Sequence, residues 1–95
     1  MKKLYIILLI LPLIGFGQTE YIKEYHLSGK ISAEGNIKNG EKDGIWKEYF
    51  QNSKLKAEGN YINGKREGVW KEYYHNGELY YEVNYINTDI QIASI

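Results

Sequence analysis

The chain has 95 residues, enough for one small domain with a thin core. Aromatic residues make up 15%, mostly ten Tyr, and they occur with ten Gly, one Pro and no Cys. This composition favours turn-rich β structure over helices and excludes disulfide bonds. The formal net charge of +0 lacks the excess of basic residues that nucleic-acid binding requires, so we expect no nucleic-acid partner.

The first seventeen residues differ in composition from the rest. Lys2 and Lys3 form a positive start, residues 4–16 are a 13-residue apolar stretch, and a small-x-small pattern ends at Gly17. The stretch is shorter than the ~18 to 20 residues that span a bilayer, so it indicates a secretory signal rather than an anchor. We predict cleavage between Gly17 and Gln18, which leaves 10 basic and 12 acidic residues in a periplasmic or secreted mature chain. There is no Cys for a lipid anchor.

A 24-residue period organises the rest of the chain. Blocks 24–47 and 48–71 agree at 12 of 24 positions, whereas block 72–95 keeps only the first half of the pattern. The shared residues include conformationally restrictive ones: Gly35 and Gly59, Asn39-Gly40 and Asn63-Gly64, Gly44 and Gly68, Trp46 and Trp70. In the third block the first Gly, the turn Gly, the next Gly and the Trp are replaced by Val83, Thr88, Ile92 and Ser94, respectively. We predict a signal peptide (1–17), the first strand of the mature chain (18–23), two repeats (24–47 and 48–71), and a degenerate or truncated third repeat with a tail (72–95).

Each repeat is predicted to form a β-hairpin. The β-rich runs 45–50 and 55–62 flank the polar residues 51–54, and the next turn, residues 63–68, opens with Asn-Gly. The fold class is therefore all-β, a single-layer antiparallel β-meander of 24-residue hairpin repeats. A directly closed four-residue turn predicts these pairs: Phe50–Leu55, Glu48–Ala57, Lys47–Glu58 and Trp46–Gly59. The same rule predicts Lys23–Glu34, Ile22–Gly35, Lys71–Glu82 and Trp70–Val83.

Extending this register across the six-residue turns places Ile37 beside Trp46 and Tyr61 beside Trp70. One face becomes aromatic, with Trp46, Phe50, Leu55, Ala57, Gly59, Tyr61, Trp70 and Tyr74. The other is mixed, with Lys47, Lys56, Glu58, Asn60, Lys71, Ile45, Tyr49 and Tyr73. We expect the Trp46 indole to lie over Gly59. The sequence has no amphipathic helix, so sheet curvature, the tail or a partner must cover the aromatic face. The tail, residues 89–95, is expected to pair as an edge strand or to fold across the sheet.

One pattern recurs along the chain: Gly-x-Trp-Lys-Glu-Tyr, a polar turn, then Ala-Glu-Gly-Asn-Tyr and Asn-Gly-Lys. This pattern resembles the bacterial variant of the MORN repeat. The resemblance covers residues 21–87. The matching positions are Gly44, Trp46, Tyr49, Gly59, Tyr61, Gly64, Gly68, Trp70, Tyr73 and Asn84-Tyr85. It implies an elongated meander of hairpins with roles in protein–protein contact or membrane association rather than catalysis. Some bacterial members resemble the antitoxin components of toxin–antitoxin pairs.

The polar residues lack the spacing of a catalytic or metal site. His26 and His75 occupy different repeat offsets, neither has a Cys or carboxylate cluster at metal-ligand spacing, and no serine lies in a nucleophile elbow. Asp43 and Glu67 precede turn glycines. The recurring acids have opposed lysines, which indicates cross-strand pairs rather than glycosidase acids: Glu34, Glu48, Glu58, Glu72 and Glu82. We predict no catalytic residue, no metal and no cofactor.

These features predict an exported protein-interaction or scaffolding module that is not an enzyme. One alternative is a carbohydrate, envelope-surface or membrane-associated binder, since regularly spaced aromatics can stack on sugars or cations. Another is an antitoxin or immunity-like protein. The candidate partner-binding aromatic face is Trp46, Phe50, Tyr61, Trp70 and Tyr74, although a buried stripe is the favoured interpretation of the two indoles. With about two and a half units after cleavage, we also expect the mature chain to self-associate or to need a protein partner.

Overall fold

The structure is a computed structural model that describes residues 3–4, 18–86 and 91–94. The described part forms one antiparallel sheet whose strands follow each other in sequence order, which confirms the predicted all-β meander. The predicted signal peptide lies outside the described residues except for 3–4, so its cleavage stays a prediction. The strands are β1 (Lys3–Leu4), β2 (Thr19–His26), β3 (Ile31–Lys38), β4 (Glu41–Tyr49), β5 (Leu55–Ile62), β6 (Lys65–Tyr73), β7 (Leu79–Tyr85) and β8 (Gln91–Ser94).

The three loops between β2 and β3, β4 and β5, and β6 and β7 share one hydrogen-bonding pattern, in which the two hydrogen-bonded residues enclose three loop residues rather than the predicted four. In the middle loop the Phe50 amide donates to the Lys54 carbonyl at 2.8 Å, and the Ser53 amide donates to the Phe50 carbonyl at 2.9 Å. The third loop residue has a positive φ in every case: 94° at Gly29, 69° at Ser53 and 95° at Gly77. Because a Cβ is unfavourable in this conformation, Ser53 is the strained member of the series.

The Asn-Gly connections are shorter than the predicted six-residue turns. Lys38 pairs with Glu41, which leaves only Asn39 and Gly40 in the first turn, with φ of 52° and 80°. Positive φ at both central residues defines the type I′ turn that suits the twist of a two-stranded hairpin. Gly44 is the repeat equivalent of Gly68, the last residue of the turn predicted over residues 63–68, yet it lies inside β4 with φ of 83°. The second Asn-Gly turn has the same form.

Within the hairpins the predicted register is confirmed at the centre and wrong at the loop end. Residues 46, 47 and 48 pair with 59, 58 and 57 as expected, and the four pairs predicted for the other two hairpins also form. Next to the loop, Tyr49 rather than Phe50 pairs with Leu55. A bulge causes the difference, because Lys56 is an extra residue on β5 between two paired positions.

Between hairpins the predicted register is wrong. Gly35, not Ile37, pairs with Trp46, and Tyr61 pairs with Arg66 rather than Trp70. Because the Asn-Gly turn has only two residues, the first backbone pair beside it forms closer to the turn than a six-residue turn would allow. A second bulge at the Gly44 position then shifts the pairing by two residues before the tryptophan is reached.

The core is a stripe on one face of the sheet, and its members recur at the 24-residue period. Trp46 and Trp70 are the largest fully buried side chains, with 1% and 0% exposure. The other buried apolar side chains of the described residues are Ile22, Ala33, Ala57 and Val83, and Ile37, Tyr61 and Tyr85 pack against this stripe. Within the described residues, a single layer thus encloses two indoles without a second sheet or a helix.

At the C-terminal end, β8 pairs with β7, from Gln91 opposite Tyr85 to Ser94 opposite Glu82. Of the two placements expected for the tail, the structure shows the additional edge strand. Residues 87–90 and 95 lie outside the described residues.

Candidate interaction surfaces of the sheet

Each buried indole lies over a glycine of the preceding strand. A Cβ built on Gly35 would fall against the ring of Trp46, and one built on Gly59 would fall against the ring of Trp70, both well inside van der Waals contact. The expectation that Gly59 lies under Trp46 is therefore wrong. Trp46 pairs with Gly59 on one side and Gly35 on the other, and its indole leans over Gly35. Glycine is required at both positions because any side chain would occupy the volume of an indole.

The two indole N–H groups are satisfied inside the sheet. Trp46 Nε1 donates to the Asn36 carbonyl at 2.8 Å, and Trp70 Nε1 donates to the Asn60 carbonyl at 2.9 Å. Each acceptor directly follows the glycine under the ring, so one backbone segment supports both the ring and its donor. A buried indole without this partner would leave a polar atom unsatisfied.

Cationic side chains cover the outer side of the indoles. Lys42 Nζ lies 4.6 Å from the ring centroid of Trp46. Arg66 Cζ lies 4.0 Å from the ring centroid of Trp70 and 5.6 Å from that of Tyr85. Lys42 and Arg66 occupy equivalent positions, 24 residues apart, so a cation over the buried indole recurs in both repeats. Side chains of the same face therefore cover the two indoles, which the sequence analysis did not predict.

Arg66 also links two carboxylates on this face. Its guanidinium nitrogens lie 3.8 Å from Glu48 Oε2 and 3.4 Å from Glu72 Oε2, and it donates to the Tyr85 hydroxyl at 3.2 Å. These ion pairs are about one quarter exposed, so each stabilises the fold only slightly. Their main effect is to hold the guanidinium over the ring of Trp70.

The five aromatic residues predicted to bind a partner do not form one accessible surface. Trp46 and Trp70 belong to the core, and Tyr61 lies edge-on to Trp70 with ring centroids 5.0 Å apart. Phe50 stacks on His75 at 4.2 Å, and Tyr74 is exposed at the loop end of the sheet. The two indoles are thus inaccessible in the folded sheet. Partner binding by the other three stays a prediction.

The opposite face carries an unbroken row of alternating charge, here called the charged row. Successive strands from β2 to β7 each contribute one residue, and every neighbouring pair is in register. The sequence predicted three separate Lys–Glu pairs, and the structure joins them because the bulges bring the hairpins back into register. In strand order the charged row is Lys23, Glu34, Lys47, Glu58, Lys71 and Glu82.

Beside the charged row lies an exposed apolar row formed by Tyr21, Ile45 and Val69. These side chains are 58%, 58% and 53% exposed and lie 24 residues apart. Each pairs with an asparagine on the next strand, namely Asn36, Asn60 and Asn84. A shallow cavity of about 210 Å³ adjoins Ile45 and Val69. The sequence analysis did not identify this row as a site, although an apolar residue immediately before each buried stripe position was a signal for it.

Glu34 in the charged row is held by two phenols. Tyr49 Oη donates to Glu34 Oε2 at 2.6 Å, and Tyr21 Oη donates to Glu34 Oε1 at 2.7 Å. The hydrogen bond from Tyr49 is the main cause that lowers the pKa of the Glu34 carboxyl, with smaller contributions from Tyr21, Lys23 and Lys47. This carboxylate therefore remains ionised and fixed in position on the open face.

Within the described residues, no cluster of His, Asp and Glu side chains has the arrangement of a metal site. That part of the chain also contains no helix long and apolar enough to cross a membrane.

The profile of the MORN repeat variant matches residues 21–39, 42–63 and 66–87, about two thirds of the chain. Each match spans one hairpin of the sheet. Comparison with curated proteins and with solved structures finds no match. The chain is a repeat protein that belongs to the MORN repeat variant family.

Proposed function

We propose that this protein is an exported, non-catalytic interaction module that binds a protein partner through the open face of its sheet. The observation that supports this most directly is the apolar row, whose three side chains are more than half exposed. Equivalent residues lie two strands apart, so the row repeats at roughly 10 Å across the sheet. Exposed apolar side chains in a regular array, next to a polar row, are typical of an interaction surface.

The other face is less suited to a partner. Its indoles are buried, and Lys42 and Arg66 occupy the positions from which a ligand would reach them. Binding there would require these cations to leave their aromatic neighbours. The charged row on the open face adds the polar groups that give an apolar patch its specificity and orientation.

Support for export comes from the leader pattern in residues 1–17, and support for a non-catalytic role comes from the contacts of the polar side chains. His26 Nε2 is hydrogen-bonded to the Tyr49 carbonyl at 2.9 Å, which is a structural contact between two hairpins. The Glu34 carboxylate is likewise held by two phenols on its own face. These groups stabilise the sheet rather than face a reactive centre.

The proposal is tested with a photo-crosslinking amino acid placed at Ile45 or Val69. Leu27 is the matched control, because it is 63% exposed but lies in a loop. We expect crosslinked protein species from the two sheet positions after export, and none from the loop position. Equal crosslinking from Leu27, or none from Ile45 and Val69, would contradict binding through the open face.

A second candidate function, contact with glycans or the envelope surface, is favoured by Tyr74 and Tyr80. Their side chains are 50% and 55% exposed, with ring centroids 4.7 Å apart at the loop end of the sheet. Exposed aromatic rings are suitable for stacking on sugars. In this case Tyr74→Ala or Tyr80→Ala should abolish co-sedimentation with cell-wall material, whereas Ile45→Asp should not.

A further inference from the structure

We propose that the partner of the open face is a second copy of this chain, packed face to face about a two-fold axis that runs parallel to the strands between β4 and β5. This inference rests on the proposed function, because it uses the same face. Two observations favour a second copy of the chain as the partner, namely the order of charges in the charged row and the alternation of apolar and Asn residues beside it.

The charged row is complementary to itself. It has six positions of alternating sign, and the two-fold axis reverses their order, so the first position meets the sixth. Because the number of positions is even, every lysine then faces a glutamate of the second copy. Lys47 faces Glu58 next to the axis, and Lys23 faces Glu82 at the ends.

The same pattern determines the register of the dimer. If one copy moves sideways by one strand, the axis falls on a strand and every charge meets a like charge. Like charges in a desolvated interface are strongly unfavourable. The charged row therefore excludes a shift by one strand, and a shift by two strands would leave only four of the six positions in contact. It adds little to affinity because the ion pairs lose water on burial.

The apolar row packs in the same arrangement. The axis brings Tyr21 opposite Asn84, Ile45 opposite Asn60 and Val69 opposite Asn36 of the second copy. Bulky side chains thus face smaller ones across the interface, so two sheets can interdigitate at the usual spacing of about 10 Å.

The contact is small. Six strands about 4.8 Å apart and five residues of each strand give roughly 500 Å² per copy, or about 1,000 Å² in total. This is at the lower limit of specific interfaces, so the dimer should be weak and concentration-dependent.

The experiment uses two charge reversals at opposite ends of the charged row, Lys23→Glu and Glu82→Lys. Within one copy these residues are five strands, about 24 Å, apart, which exceeds the Debye length at physiological salt. Each reversal places like charges at two symmetric contacts of the dimer. The full chain is expressed with its leader, purified after export, and examined by sedimentation velocity up to roughly 500 µM, a range suited to a weak dimer.

We expect the unmodified protein to dimerise, and each reversal alone to weaken the dimer at least about tenfold. When the two variants are mixed, both end contacts regain opposite signs, and the dimer should reappear. The double variant should also dimerise by itself. Lys30→Glu, a charge reversal in a loop, serves as the control and should leave dimerisation unchanged.

Circular dichroism of each variant verifies the fold, since a reversal in one exposed cross-strand pair destabilises the sheet only slightly. Val69→Asp, in the apolar row, is an independent variant that should also abolish the dimer. A monomeric unmodified protein, single variants that dimerise normally, or a mixture that does not recover would overturn the inference. If the protein is monomeric while Ile45 still crosslinks to a different protein, the inference fails and the proposed function stands.

Discussion

Gly59→Ala is expected to destabilise the sheet, because the new methyl group would overlap the indole of Trp70. The ring has little freedom to move away. Its N–H is bonded to the Asn60 carbonyl at 2.9 Å, and the guanidinium of Arg66 lies 4.0 Å above it. Overpacking of this kind costs about 1 to 3 kcal/mol. In a domain of this size, that corresponds to a fall in Tm of roughly 5 to 20 °C, measured by circular dichroism.

A double-mutant cycle identifies the indole that is responsible. In a Trp70→Leu background the additional cost of Gly59→Ala should largely disappear, because the methyl group no longer meets a ring. In a Trp46→Leu background the cost should persist, although Trp46 is the direct cross-strand partner of Gly59. Coincident melts of Gly59→Ala and the unmodified protein, or coupling to Trp46 instead of Trp70, would refute the proposed position of the ring.

Three further predictions concern the loops, the cation cover and pH. Ser53→Gly should raise the free energy of unfolding by about 0.5 to 1 kcal/mol in thermal melts, because it relieves a φ of 69° at a small cost in chain entropy; an unchanged or lower stability would argue against strain there. Arg66→Leu should destabilise by about 1 to 2 kcal/mol, since it removes the cation over Trp70, whereas Arg66→Lys should recover part of this loss in urea titrations. The carboxyl of Glu34 has a lowered pKa in the folded state, so its contribution is present above the unfolded value near 4.5 and is lost as pH falls. Tyr49→Phe should therefore flatten the acid side of the stability profile, and an unaltered profile would refute this role.

Much of the open face could be predicted from the sequence, but its use as a surface could not. The strand alternation alone placed Ile45, Lys47 and Tyr49 on one face, and the structure agrees. Side-chain exposure could not be inferred from strand alternation, so the aromatic residues were predicted to be the candidate surface. Only the packing of Lys42 and Arg66 over the indoles shows that Trp46 and Trp70 are covered by their own face.

The 24-residue repeat by itself determined the hairpins, their sequential order in the sheet and the central pairing inside each hairpin, because these depend on local turn chemistry and on residues close together in the chain. The pairing between hairpins depended on the tertiary structure. The Asn-Gly turn is two residues long, and the positive φ of Gly44 allows a bulge that resets the register. The shift brings Gly35 under the Trp46 ring and continues the charged row. These contacts form between strands from different hairpins that are already packed side by side, so no local pattern in the sequence specifies them.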